Sequence, residues 1–155
     1  MTGIKEGTAK KYQTLIREGV PTVNGRIYSD GSLETIKGLL QPYIEKNICF
    51  AVLGADADAF CKYNGYNYKD LHSDKAIGLY SGIVKSFDIV NGQGELEIAP
   101  LKTSAGHKLE AMQEFGIDFK VDFLAYAMLN DKYVKEINEV VPIILLRRET
   151  NESKD

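Results

Sequence analysis

The sequence predicts an α+β fold, and one block from Gly78 to Met128 carries most of that expectation. Leu79 to Val90 is rich in β-branched and aromatic residues, and Asn91-Gly92-Gln93-Gly94 then supplies the tolerance of positive φ that a hairpin turn needs. Glu95 to Leu101 alternates polar and apolar side chains, as a strand with one buried face does. Thr103 or Ser104 can cap a helix in which Leu109, Met112 and Phe115 recur at helical spacing, with Gly116 as its left-handed end. A second period-two run follows, with Ile117, Phe119, Val121 and Phe123 on one face and Asp118, Lys120 and Asp122 on the other. The block therefore reads as a hairpin, a short helix and a returning strand.

Before this block, Met1 to Glu18 mixes charge with Tyr12, Leu15 and Ile16, a pattern that fits helix and strand equally. Gly19-Val20-Pro21 ends it, because proline fixes φ and restricts the residue before it. Ser29 or Asp30 is placed to cap a helix through Leu33, Ile36, Leu39 and Leu40, which Pro42 should end or kink. Ile48 to Leu53 is a short apolar run suited to a buried strand. Gly54 to Leu71 shows no helical period and reads as a long loop, with Tyr63, Tyr66 and Tyr68 among polar residues. These tyrosines offer a contact surface, since each carries a large apolar area and a polar tip, or equally belong to a surface loop folded back on its own core. After the central block, Asn130-Asp131 marks a turn and Val140 to Leu146 a last buried strand. The organisation expected is one domain over residues 1–148 and a charged tail over 149–155.

Composition narrows the function classes. At 155 residues and 44% hydrophobic content the chain suits one domain with a real core. A net charge of −3 with interspersed signs provides no basic stripe for nucleic acid. The apolar runs are too short to span a membrane, and the first twenty residues lack the apolar core of a signal peptide, so a soluble cytoplasmic protein is expected. Cys49 and Cys61 have no metal-ligand spacing and read as reduced thiols.

Few residues suit catalysis. His72 and His107 are the only histidines. Asp56 and Asp58 are spaced like calcium ligands, but the glycine and late glutamate of a calcium loop are missing. Gly92 and Gly94 flank a hairpin rather than a strand-to-helix turn, so they form no phosphate-binding loop. Ser104 and His107, three apart, are explained by helix capping before nucleophilic chemistry. No cofactor or metal is implied.

Two stretches carry a family resemblance. Asn24-Gly25-Arg26-Ile27-Tyr28, followed by a helix, resembles the opening motif of tailed-phage prohead maturation proteases, which share the fold of herpesvirus assembly proteases. Leu101-Lys102-Thr103-Ser104-Ala105-Gly106-His107-Lys108-Leu109, then a helix, Gly116 and a strand, is similar to the second half of that family. The resemblance covers roughly Val20 to Leu129. It implies a mainly antiparallel sheet curled into a barrel, with a few helices packed around it.

The departures bear on activity. The family's first strand leads into a Gly-Glu-Leu-Gly-His-Pro-like motif whose histidine acts on the nucleophile. Here that stretch is Ala51-Val52-Leu53-Gly54-Ala55-Asp56, with Ala55 at the histidine. The family's nucleophile strand ends in a Val-Ser-Ser-Arg-Gly-like motif. Here it reads Val121-Asp122-Phe123-Leu124-Ala125, with Asp122 at the serine and Leu124 at the arginine. The resemblance thus implies a non-enzymatic virion structural protein, assembled in the host cytoplasm. It would be a head decoration or auxiliary protein, or a connector or tail component, with no catalytic residues. Its partners would be the major capsid protein or other virion proteins, met through Tyr63, Tyr66 and Tyr68, or further copies of itself. The rival is an active protease using Ser104 or Ser73 with His72 or His107; a third reading is an internal scaffold-type assembly protein.

Overall fold

A computed structural model describes residues 6–21, 25–65, 70–71, 74–116 and 119–146. Seven strands form one mixed sheet in the order β2-β7-β3-β4-β5-β1-β6, and β6 also pairs with β7, so six strands close into a barrel with β2 attached to β7. The expected α+β architecture is observed. The long ladders are antiparallel, whereas β1–β6, β2–β7 and β3–β7 are parallel.

The ambiguous first segment is a strand, β1 (Lys10–Arg17). Buried Thr14 and Ile16 alternate with exposed Gln13 and Arg17. Thr14 is fully buried, and its hydroxyl donates to the Ile16 carbonyl at 3.1 Å and accepts the Gly94 N–H at 3.1 Å, so the buried polar group is satisfied. After β2 (Ile27–Tyr28), the helix α1 (Ser32–Glu45) lays Leu33, Ile36 and Leu40 on the core.

The cap of α1 differs from expectation. Ser29 donates its hydroxyl to the Val134 carbonyl, and the N-cap residue is Gly31 at φ 88°, with no side chain to offer. Instead the Glu18 carboxylate, at the end of β1, accepts the Leu33 N–H at 2.8 Å. The acceptor comes from a neighbouring element and favours the positive end of the helix dipole. Pro42 neither ends nor breaks α1, which continues to Glu45. In the last turn proline forfeits only its own bond to the preceding turn, and the carbonyl of Pro42 still accepts from Lys46.

The strand β3 (Phe50–Leu53) leads directly into a second helix, α2 (Gly54–Asn64). This corrects the reading of Gly54–Leu71 as a long loop. The buried residues of α2 are Gly54, Ala57 and Phe60, a face so small that it makes no apolar stripe in the sequence, while its alanines favour helix. Gly65 at φ 71° ends it. Tyr66, Tyr68, His72 and Ser73 lie outside the described residues.

A 3-10 turn (Asp74–Leu79) precedes the expected hairpin of β4 (Tyr80–Val90) and β5 (Gln93–Pro100). Asn91 and Gly92 form its two-residue turn, both at positive φ (53° and 75°), as a primed hairpin turn requires. The helix α3 (Ser104–Glu114) follows, with Thr103 as its cap: the Thr103 hydroxyl accepts the Gly106 N–H at 3.0 Å. Leu109 is buried and Met112 packs against the core, but Phe115 is 80% exposed. Two steps of three residues fall short of two 3.6-residue turns, so Phe115 has drifted off the buried stripe.

The last two strands, β6 (Phe119–Asn130) and β7 (Tyr133–Leu146), form a long hairpin. Val121 and Phe123 point into the core as the period-two pattern requires, while Ile117 lies outside the described residues. β7 starts well before the expected Val140. Its buried residues Val134, Ile137 and Val140 are three apart because bulges at Tyr126/Ala127 and Met128/Leu129 shift the register, which hides the strand period. The main core joins Ile16, Leu33, Ile36, Leu96, Ile98, Leu109 and Val121.

Candidate functional site

Of the two positions that the resemblance assigns to catalysis, Asp122 lies on β6 and Ala55 in the first turn of α2, just after β3. Asp122 on β6 and Val52 on β3 both pair with Ile143 of β7, so two strand spacings, about 10 Å, separate their backbones. Ala55 follows Val52 by three residues and sits exposed in the first turn of α2. That helix begins as soon as β3 ends, with Leu53 extended (φ −71°, ψ 136°) as the N-cap. Asp122 is partly buried, and its Oδ1 accepts the N–H of Phe123 at 2.8 Å. Its negative charge, after burial itself, raises the Tyr28 phenol above its ordinary value, while Arg26 acts in the opposite direction. Arg26, Tyr28 and Asp122 therefore share one electrostatic neighbourhood.

α3 bounds the same region. Lys108 lies 3.5 Å from the Asp56 carboxylate and ties α3 to the first turn of α2. Both side chains are solvated enough that the pair contributes about 0–1 kcal/mol. The Thr103 hydroxyl, besides capping α3, donates to the Tyr80 carbonyl at 3.4 Å. Tyr80 stacks on Phe50 with ring centroids 4.5 Å apart, and its hydroxyl donates to the Leu71 carbonyl. A chain of contacts thus runs from α3 through β4 to the segment after α2.

The remaining candidates scatter. Ser104 and His107 are exposed on the first turn of α3, and among the described residues no hydrogen bond joins them. Asp58 is exposed on α2, apart from the Asp56–Lys108 pair. Cys49 is buried and its thiol is pushed up to about 12 by desolvation. Cys61 is also free, and its thiol is raised by burial and then by the Asp58 and Asp70 carboxylates. Neither environment favours the thiolate that a nucleophile needs. Tyr63 is 78% exposed at the end of α2, with Lys62 over its ring. The Asp56–Lys108 link and the Glu18 cap had no sequence signal, since each joins residues far apart in the chain.

This barrel, with its β3–α2 junction and its α3–β6 connection, is a phage prohead protease-like fold. Among solved structures, the bacteriophage T4 capsid assembly protease, gp21, superposes with a TM-score of 0.66 at 16% identity, over 96% of this chain and 87% of that one. No protein-family model and no curated protein matches the sequence.

Proposed function

We propose that this protein is a non-enzymatic structural component of a tailed-phage particle, built on an assembly-protease scaffold. The observation that carries this reading is the chemistry at Ala55 and Asp122. An exposed methyl cannot accept a proton, and the Asp122 carboxylate, which the resemblance sets at the nucleophile serine, accepts its neighbour's N–H. Acyl transfer by a serine protease needs a nucleophile, a base within hydrogen-bond reach and donors for the oxyanion. The resemblance also sets Leu124 at the supporting arginine.

The exposed Tyr63 supports a contact with the major capsid protein or another virion protein, extended by Tyr66 and Tyr68 of the same stretch. The alternative is an active maturation protease in which Ser104 or Ser73 works with His72 or His107. Ser104 and His107 keep it open, because residues three apart are neighbours on a helix face. An internal scaffold-type assembly protein is the third reading.

The deciding experiment incubates the purified protein with the capsid and scaffold proteins of its own phage and follows cleavage by mass spectrometry. No specific cleavage and no serine labelled by a fluorophosphonate probe are expected. Cleavage that disappears in Ser104→Ala would establish the protease instead. Presence in purified mature particles at fixed stoichiometry separates the structural reading from a discarded scaffold.

A further inference from the structure

We infer that the β6–β7 hairpin opens as a unit while the sheet β3–β4–β5–β1 stays folded. A closed ring of strands comes apart only where two joints are cut. Among the described residues, β1 and β6 share one register pair, Thr14↔Val121, and β3 and β7 share two, Val52↔Ile143 and Leu53↔Ile144. Within the hairpin itself, by contrast, twelve pairs run from Phe119↔Leu146 to Asn130↔Tyr133, and β4–β5 holds eight. The two sparse joints flank the hairpin, and both are parallel, the less stable pairing per residue. Among the described residues the cut also crosses the two pairs of β2 with β7, the bonds from the Ile27 N–H to the Lys132 carbonyl and from the Ser29 hydroxyl to the Val134 carbonyl, and the packing of α1 and α2 against β7.

Packing decides whether the parts can separate. The hairpin contributes Val121, Phe123, Val134, Ile137 and Val140 to the main core, so opening exposes real apolar surface and stays a rare event. The part left behind keeps its own packing: Leu33, Ile36, Leu40, Val84, Phe87, Leu96, Ile98 and Leu109 in the main core, and a separate cluster of Ile83, Ala99 and Leu101. Such a unit exchanges at a free energy below that of global unfolding. The cut also passes between the β3 end that leads to Ala55 and the strand bearing Asp122, so a partner touching both would hold the barrel closed. The inference stands whether or not the site is catalytic.

Native-state hydrogen exchange of the full chain, read by mass spectrometry at increasing urea, tests it. Peptides over 119–146 should share one opening, faster than peptides over 80–100, and merge with them as urea rises. Equal protection of the two regions at every urea concentration would overturn the inference. Ile83→Val supplies the second arm, because no described residue of the hairpin enters the cluster in which Ile83 packs. It should speed exchange over 80–100 by about two- to tenfold and leave 119–146 unchanged at low urea. Equal acceleration of both regions would show one cooperative unit and refute the proposal.

Discussion

Replacing Gly106 by alanine should destabilise the protein although it adds a better helix former. A Cβ at this position would stand 1.8 Å from the Leu101 carbonyl oxygen, 2.5 Å from its carbon and 2.9 Å from its nitrogen. These are backbone atoms, so no rotamer change relieves the overlap, and the start of α3 must shift away from the end of β5. That shift strains the bond from the Gly106 N–H to the Thr103 hydroxyl. Overpacking costs about 1–3 kcal/mol, and loss of the cap adds about 0.5–2 kcal/mol. Alanine's helix propensity returns about 1 kcal/mol. The net is a loss of about 0.5–4 kcal/mol, and contact with backbone places it in the upper half. Urea denaturation followed by circular dichroism measures it, with Thr103→Ala giving the cap's share. Gly38, exposed in α1, is the control: nothing lies within 4 Å of its Cβ, so Gly38→Ala should gain about 0.5–1 kcal/mol. If Gly106→Ala proves as stabilising as Gly38→Ala, the close approach is wrong.

Glu18→Ala should lower stability by about 1 kcal/mol, because it removes the acceptor for the Leu33 N–H; Glu18→Gln, which keeps an oxygen, should recover part of the loss in the same denaturation assay. The Cys49 thiol is raised in the folded state to about 12 from 9.0, so its contribution is complete below pH 9 and is lost as pH rises towards 12. A urea series from pH 8 to 11 should show falling stability, and Cys49→Ala should flatten part of that slope. Tyr63→Ser removes a side chain that is 78% exposed and should change stability by less than about 0.5 kcal/mol. Impaired incorporation of that variant into particles would then report an interface, and normal incorporation would remove Tyr63 from it.

Much of this architecture is legible in the sequence where one short-range signal dominates. Asn91-Gly92 fixes the hairpin, Thr103 caps α3, and the alternation about Val121 and Phe123 sets the inward face of β6. The misreadings share a cause. α2 buries only glycine, alanine and one phenylalanine, so its period is written in residues too small to register as apolar. In β7, two bulges, each one extra residue opposite β6, turn a period of two into a spacing of three. The cap of α1 comes from Glu18, fifteen residues before Leu33, beyond the reach of any local capping pattern. For the candidate site, the sequence could place Ala55 and Asp122 only by resemblance, and the row that joins Asp122 through Ile143 to Val52, three residues before Ala55, appears only when β3 and β6 flank β7.

The abrupt passage from β3 into α2 also sets the electrostatics of residue 55. Residue 55 lies in the first turn of a helix whose N-cap, Leu53, offers no side-chain acceptor, so it faces the positive end of an aligned row of peptide dipoles. A histidine grafted there by Ala55→His would have its imidazolium form disfavoured and would stand as a neutral ring at neutral pH, the state a proton acceptor requires. The neighbouring Asp56 would favour the charged ring, but Lys108 already sits against that carboxylate. The β3–α2 junction thus provides an electrostatic setting in which a titratable ring at residue 55 is kept neutral. A proton acceptor at residue 55 therefore calls for one new side chain rather than for a new backbone.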